Sequence, residues 1–140
     1  MTGLFLEDLT VGQSAELART VTGGDLDAFA VVTGDDNPVH LDEAYAATTP
    51  FGGRIAHGML SAGYISAVIG TRLPGPGTIY VSQSLRFRRP VKIGDTVVAR
   101  VEITGIDAAR ARVTLATVCS VAGKAVLEGE AEVMVPRRPA

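Results

Sequence analysis

An uncharged stretch at residues 55–70 decides the fold and reads IAHGMLSAGYISAVIG. Apolar residues occupy nearly every face of this stretch at helical spacing, so it predicts a helix that is buried all round. Small residues such as Gly58, Ala62 and Gly63 would let other parts of the backbone come close to it. Prolines and glycines follow at residues 73–77 and end the helix. We therefore expect one long central helix.

Alternating apolar and polar residues predict strands in the second half of the chain. The alternation covers residues 79–88, 97–104, 113–121 and 125–135, with short turns between them, and so indicates an antiparallel meander with one face in water. A sheet that wraps one helix is typical of the α+β class. Such a sheet leaves a flank of the helix and a sheet edge uncovered, and a dimer would cover both.

The composition indicates an ordinary globular protein. The chain has 140 residues, 46% hydrophobic, and a formal net charge of −2. This length predicts a single domain over residues 1–140, and the charge gives no basic face for nucleic acid. One cysteine, Cys119, excludes an intrachain disulfide, as is typical of reduced cytoplasmic proteins. The first residues lack a basic leader and residues 55–70 are short for a membrane span, so we expect a cytoplasmic protein with no membrane partner.

The stretch best suited to chemistry is GDDNPVH, residues 34–40. Gly, Asp, Asn and Pro all favour turns, each for its own physical reason, so this stretch predicts a loop. It follows a short helix whose start is indicated by Thr22 and Asp25, a capping pair, and whose end is indicated by Gly34. Asn37 is expected to bond the backbone of its own loop.

This loop carries a candidate proton-transfer pair. Asp35 or Asp36 could act with His40 on one water molecule, because a carboxylate and an imidazole both transfer protons near neutral pH. A helix-capping aspartate and a histidine bonded to loop backbone would explain the same residues structurally. So many constrained residue types in one short loop favour the functional interpretation.

A second candidate site lies at the start of the central helix. The backbone N–H of Gly58 could hold a carbonyl oxygen that gains negative charge, as in an oxyanion hole, because helix N-termini offer unpaired N–H groups. His57 would then support the site from a partly buried position. Ser66, two helical turns further on, either supports the loop of residues 34–40 or bonds its own helix.

Other chemistries find little support in the sequence. His40 and His57 are 17 residues apart and no cysteine pair is present, so we expect no metal site and no bound cofactor. A basic set on the strand at residues 86–92 is best explained as a solvated face. Cys119 alternates with core residues and is expected to pack in the core.

Two blocks of residues match a family pattern. They are Asp35-x-Asn37-Pro38-x-His40-x-Asp42, and Phe51-Gly52 followed by Ile55-Ala56-His57-Gly58-Met59. Together they resemble the MaoC-like hydratases, the (R)-specific enoyl-CoA hydratases. The resemblance implies a hot-dog domain, in which a long central helix is wrapped by a five-stranded antiparallel sheet. It also implies a homodimer that binds acyl-CoA near the subunit interface.

The resemblance further implies an activity, the hydration of trans-2-enoyl-CoA to (R)-3-hydroxyacyl-CoA. In the family the acid five residues before the histidine is catalytic, which selects Asp35 over Asp36. Asp35 and His40 would activate the water that adds to C3 and deliver a proton to C2. The Gly58 N–H would hold the thioester oxygen, and Ser66 matches a family serine near the catalytic pair.

Three alternatives remain open at this point. The same fold could serve an acyl-CoA thioesterase, although thioesterases of this fold usually lack the Asp-x-Asn-Pro-x-His loop. The substrate could be carried by acyl carrier protein, which would make the protein a 3-hydroxyacyl-ACP dehydratase. A non-catalytic acyl-binding module would not need both the acid and the histidine, and this chain has both.

Overall fold

The structure, a computed structural model that describes residues 3–140, is built around one long helix. The helices are α1 Gly23–Thr33, α2 Pro38–Leu41, α3 Glu43–Ala47 and α4 Gly58–Thr71. The strands are β1 Ser14–Thr20, β2 Ile79–Gln83, β3 Arg86–Phe87, β4 Thr96–Asp107, β5 Arg112–Val121 and β6 Lys124–Met134. None of the helices within residues 3–140 is long and apolar enough to span a bilayer.

The strands form one antiparallel sheet in the order β1-β4-β5-β6-β2. The predicted α+β class and five-stranded antiparallel sheet are confirmed, and the two-residue strand β3 is added to them by a second pairing with β6. Residues 79–88 were expected to form one strand, but the chain breaks at Ser84 and Leu85. There the backbone crosses over Gly129, which has no side chain to block it.

Helix α4 packs on the inner face of the sheet and supplies the centre of the core. Ile65, Val68 and Ile69 are at most 1% exposed and belong to one cluster with inward-facing strand residues such as Val101 and Leu115. Each fully buried aliphatic side chain stabilises the fold by about 1.5–3 kcal/mol. This packing fixes where the first residue of α4 lies, and hence where the site begins.

The opposite flank of α4 is open, so the prediction of a helix buried all round is wrong. Met59 is 54% exposed, and Gly63, Ser66 and Gly70 are exposed as well. The sheet covers one side of the helix only, because a sheet that curves around a helix cannot close over it with these few strands. The sequence also predicts that one sheet of this size leaves a flank of the helix uncovered, and that prediction agrees with the structure.

Local capping sets the helix bounds near the site as the sequence predicts. The Thr22 hydroxyl accepts a hydrogen bond from the Asp25 N–H, and the Asp25 carboxylate accepts one from the Thr22 N–H, at 3.1 and 2.9 Å. Gly34 ends α1 with a left-handed φ of 82°, a conformation that glycine adopts without strain.

The loop at residues 34–40 is more regular than the sequence predicts. Its second half forms the single-turn helix α2, with Pro38 in its first turn. The Asn37 side chain accepts a hydrogen bond from the Val39 N–H at 3.1 Å and so caps this turn. Proline is well placed at a helix start, since its missing N–H would have no partner there. His40 is therefore held on a helical turn.

Cys119 is a core residue, as the sequence predicts. It is fully buried, and its thiol donates a hydrogen bond to the Ser61 carbonyl oxygen, with Sγ and oxygen 3.4 Å apart. Burial raises the pKa of the Cys119 thiol to about 12. The reactive thiolate therefore does not form near neutral pH, and Cys119 contributes packing.

Replacement of Gly129 by alanine should destabilise the protein. A Cβ at this position would lie 1.9 Å from the Ser84 carbonyl oxygen, so the chain between β2 and β3 would have to move. We expect Gly129→Ala to lower the free energy of unfolding by about 1–3 kcal/mol, measured by urea unfolding followed by circular dichroism.

Gly70 in α4 provides the matched control. A Cβ there meets no atom of residues 3–140 within 4 Å, so Gly70→Ala should leave stability unchanged or raise it by up to about 1 kcal/mol. Equal losses of stability in the two variants would contradict the account of the chain crossing at Gly129.

Candidate active site

Asp35, His40 and His57 meet beside the start of α4. Asp35 lies between α1 and α2, His40 lies on α2, and His57 is the residue that caps α4. A carboxylate oxygen of Asp35 and one ring nitrogen from each histidine lie within 4.8 Å of one another. Between the Asp35 carboxylate and the His40 ring, a gap of this size can be spanned by one water molecule with a hydrogen bond of about 2.8 Å to each.

The tautomer of His40 follows from its hydrogen bond. Its Nδ1 lies 2.7 Å from the carbonyl oxygen of Ile55, and because a carbonyl oxygen only accepts, Nδ1 must carry the proton. In the neutral ring Nε2 then keeps a free lone pair. His40 also lines the cavity beside it, so the basic nitrogen of the site is Nε2.

His57 ties the two halves of the site together. Its Nε2–H donates a hydrogen bond to the Asp35 carbonyl oxygen at 2.9 Å. Its ring is 2% exposed and stacks on His40, with ring centroids 3.8 Å apart and 27° between the ring planes. Phe29 packs at a ring-centroid distance of 4.6 Å from it. His57 Nδ1 is buried and has no hydrogen-bond partner within residues 3–140.

The hydrogen bonds of the two histidines limit what they can offer a shared metal ion. A ring nitrogen binds a metal through a lone pair in the ring plane, at about 2.0–2.1 Å for zinc. His40 Nδ1 and His57 Nε2 are each bonded to a backbone carbonyl oxygen, so neither of these two nitrogens is free to bind an ion. The geometry favours a proton-transfer group over a metal centre.

Backbone contacts hold the Asp35 carboxylate near His40. The Asn37 N–H donates to Asp35 Oδ1 at 3.3 Å, and the Asp35 N–H donates to the Thr33 hydroxyl at 3.2 Å. Asp36 is not part of the cluster with the two histidines. The position of Asp35 therefore agrees with the choice that the family resemblance makes between the two aspartates.

Gly58 is the first residue of α4 and lines the same cavity of about 390 Å³ as His40. The first N–H groups of a helix have no partner inside the helix, so the Gly58 N–H can serve a ligand. The ring of Phe87 lies on Gly58, since a Cβ there would be 2.4 Å from the nearest ring carbon. Glycine is needed here because the phenylalanine occupies the space of a side chain.

Ser66 lies on a second cavity that also reaches Asp35. Its hydroxyl makes no hydrogen bond to Asp35 or His40 within the described part of the chain. The far wall of this cavity contains Tyr80, whose hydroxyl donates a hydrogen bond to Gln83. Burial raises the pKa of the Tyr80 hydroxyl, so it stays a neutral donor. Asp35 lines this second cavity, whereas His40 lines the first.

Two residues near the site carry no signal in the sequence. Phe87 lies on a strand whose alternation predicts only a sheet position, yet its ring covers Gly58. Arg54 follows two glycines in a loop, and its Nε–H donates to the His40 carbonyl oxygen at 2.6 Å. Their roles depend on contacts between segments that are distant in sequence.

We predict that the two histidines have different neutral tautomers, because each directs one N–H at a backbone carbonyl. His40 should carry its proton on Nδ1 and His57 on Nε2. Long-range proton–nitrogen NMR spectra of histidine-labelled protein would test this. The chain has two histidines, so His40→Ala assigns both. The same tautomer in both residues would contradict the prediction.

Comparisons with known proteins agree with this fold. The family described as "MaoC like domain" matches residues 8–125. The chain is 60% identical over 134 residues to a Rhodospirillum rubrum protein named (R)-specific enoyl-CoA hydratase, covering 96% of this chain and 93% of that one. It is 53% identical over 135 residues to the 3-hydroxybutyryl-CoA dehydratase of Methylorubrum extorquens, covering 96% and 86%.

A solved structure supports the same assignment. The unliganded R-hydratase of Pseudomonas aeruginosa matches this structure with a TM-score of 0.93 and 52% sequence identity, covering 97% of this chain and 88% of that one. The predicted hot-dog fold and the predicted enzyme class, a hydro-lyase, are thereby confirmed. This chain belongs to the MaoC-like family of hot-dog hydro-lyases.

Proposed function

We propose that the protein catalyses the reversible, (R)-specific addition of water to trans-2-enoyl-CoA, which gives (R)-3-hydroxyacyl-CoA. The observation that carries the proposal is the close approach of the Asp35 carboxylate and the His40 ring, within 4.8 Å, beside a cavity that Gly58 lines. The names of the two relatives, an enoyl-CoA hydratase and a hydroxybutyryl-CoA dehydratase, support a CoA thioester substrate.

In the proposed reaction Asp35 and His40 share the work of proton transfer. His40 Nε2, the free base of the ring, and the Asp35 carboxylate hold one water between them. As the water oxygen bonds to C3 it loses a proton to this pair, and the electrons of the C2–C3 double bond move toward the thioester carbonyl. The pair then returns a proton to C2, so that no net proton is gained or lost. Such general acid–base catalysis contributes about 10²–10⁴-fold.

Gly58 would stabilise the negative charge that builds on the thioester oxygen. Its N–H lies at the positive end of α4, where the helix dipole adds to the hydrogen bond. The loss of one such donor typically costs about 10²–10³-fold in rate. The Phe87 ring, which lies on Gly58, would exclude water from this oxygen and strengthen the interaction.

Asn37, His57 and Ser66 would support the site around the substrate. Asn37 fixes the start of α2 through its bond to Val39, and His57 holds the Asp35 carbonyl and one face of the His40 ring. Ser66 would contact the substrate from the second cavity. We propose that the reaction needs no metal or cofactor, since one nitrogen of each histidine is already bonded to a backbone carbonyl oxygen.

We further propose that the protein works as a homodimer joined at β2. This strand is an edge of the sheet and has no charged residue, whereas the other edge, β1, carries Glu16 and Arg19. Charged side chains protect sheet edges from pairing, and their absence leaves β2 open to a second copy. Ile79 and Val81 on β2 are 60% and 43% exposed, and a two-fold interface would bury them.

Loss of either catalytic group should abolish hydration while the fold survives. We expect Asp35→Asn and His40→Ala to lower kcat for crotonyl-CoA by at least about 10²-fold, because each removes a proton-transfer group. The measurement is the loss of absorbance of the conjugated enoyl thioester, with the configuration of the product determined by chiral analysis. Full activity in either variant would contradict the proposed mechanism.

Asp36→Asn is the matched control, because it makes the same change one residue away. We expect it to keep activity close to that of the unmodified protein. Release of free thiol from acyl-CoA, with no loss of enoyl absorbance, would instead favour the thioesterase alternative. A strong preference for enoyl thioesters of acyl carrier protein would favour the ACP dehydratase.

A charge on β2 should prevent dimer formation. We expect Val81→Lys to shift the protein from dimer toward monomer in sedimentation velocity runs, because pairing would bury an ammonium group at the edge. Val11→Lys is the control, since Val11 is 63% exposed and lies in the turn before β1, outside the proposed interface. An unmodified protein that is monomeric, or a Val81→Lys variant that remains fully dimeric, would overturn this interface.

A further inference from the structure

We propose that Arg54 is a positioning residue that holds His40 in place for proton transfer. The inference rests on the proposed function, because it gives Arg54 a part in that reaction. Arg54 is not among the residues that line the cavity beside His40, so it acts through His40 and not on the substrate. Its side chain is only 15% exposed, although it carries a permanent charge.

Arg54 joins three separate segments of the chain through hydrogen bonds. Its Nε–H donates to the His40 carbonyl oxygen at 2.6 Å, and its Nη2–H donates to Asp27 Oδ1 on α1 at 2.8 Å. The backbone N–H of Arg54 lies 3.4 Å from a carboxylate oxygen of Glu43, at the start of α3. The rigid fork of the guanidinium sets the distance between α1 and the end of α2.

Two consecutive residues, Arg54 and Ile55, therefore hold the backbone and the ring of His40. Its ring Nδ1–H bonds to the Ile55 carbonyl oxygen, and its own carbonyl oxygen bonds to the side chain of Arg54. One bond fixes the ring orientation and tautomer, and the other fixes the backbone from which the ring projects. A base that must meet one water to within a fraction of an ångström gains from both restraints, since a displacement of about 1 Å can cost 100-fold in rate.

The contacts of Arg54 are not those of an ordinary surface ion pair. Asp27 is 65% exposed, and ion pairs with an exposed partner contribute little to stability. If the main role of Arg54 were its ion pair with Asp27, replacing either residue should lower activity by the same small amount. If its main role is the hydrogen bond to the His40 carbonyl oxygen, replacing Arg54 should lower activity far more than replacing Asp27.

The kinetic test compares Arg54→Ala, Arg54→Lys and Asp27→Asn with the unmodified protein on crotonyl-CoA. We expect Arg54→Ala to lower kcat by about 10- to 100-fold while KM changes by less than about threefold, because the substrate does not touch Arg54. Asp27→Asn should lower kcat by less than about threefold. Arg54→Lys keeps the charge without the fork, so its kcat should fall between those two.

Added guanidinium at non-denaturing concentration should restore part of the kcat of Arg54→Ala, because it can occupy the space that the arginine side chain leaves.

Arg112→Ala is the matched control. Arg112 is a partly exposed arginine of the sheet that bonds one carboxylate, Glu132, at 3.3 Å, and its loss should leave kcat unchanged. Equal losses of kcat at Arg54 and Arg112, or an unchanged kcat in Arg54→Ala, would overturn the proposal.

NMR of the two histidines gives a readout that does not depend on activity. Arg54→Ala should shift the ring-nitrogen signals of His40 toward a mixture of tautomers and leave those of His57 in place. If Arg54→Ala does not fold, the kcat and histidine spectra of Arg54→Lys decide, and values equal to those of the unmodified protein would refute the proposal. An unmodified protein that does not hydrate enoyl-CoA counts against the proposed function, while the histidine spectra still test Arg54.

Discussion

The hydrogen bond from His57 to the Asp35 carbonyl oxygen is the interaction on which the site depends. His57 belongs to the start of α4, which the core holds in place, whereas Asp35 belongs to an exposed segment between two short helices. The 2.9 Å bond therefore fastens an exposed loop segment to the helix that the core holds in place. Gly58, one residue further on, lines the same cavity as His40.

The same contact orients the buried ring of His57. His57 Nδ1 has no hydrogen-bond partner within residues 3–140, and a buried nitrogen without one costs about 1–3 kcal/mol. The ring offsets that cost with one hydrogen bond and with its stacking on His40 and Phe29. Residues whose burial costs stability in this way are typical of functional sites.

The sequence predicted the features that depend on local chemistry. Thr22 with Asp25, Gly34 and Asn37 cap or end helices where the residue types require it. The strands follow the period of two, and Asp35 with His40 lie where the motif indicates. Features that depend on distant segments could not be predicted. The break at Ser84 exists because Gly129 lets the backbone cross, and Arg54 reaches His40 only because α1 and α2 fold against it.

The open flank of α4 links the site to the proposed dimer. Met59 and Ser66 on this flank line the same cavity as Asp35, and Tyr80 of the edge strand β2 forms its far wall. Whatever covers the flank and the edge therefore also closes one side of the site. Closure would remove water around the Asp35 carboxylate and strengthen each electrostatic interaction there. The proposed second subunit on β2 would thus close the open side of the site, which would give the proposed dimer a part in catalysis.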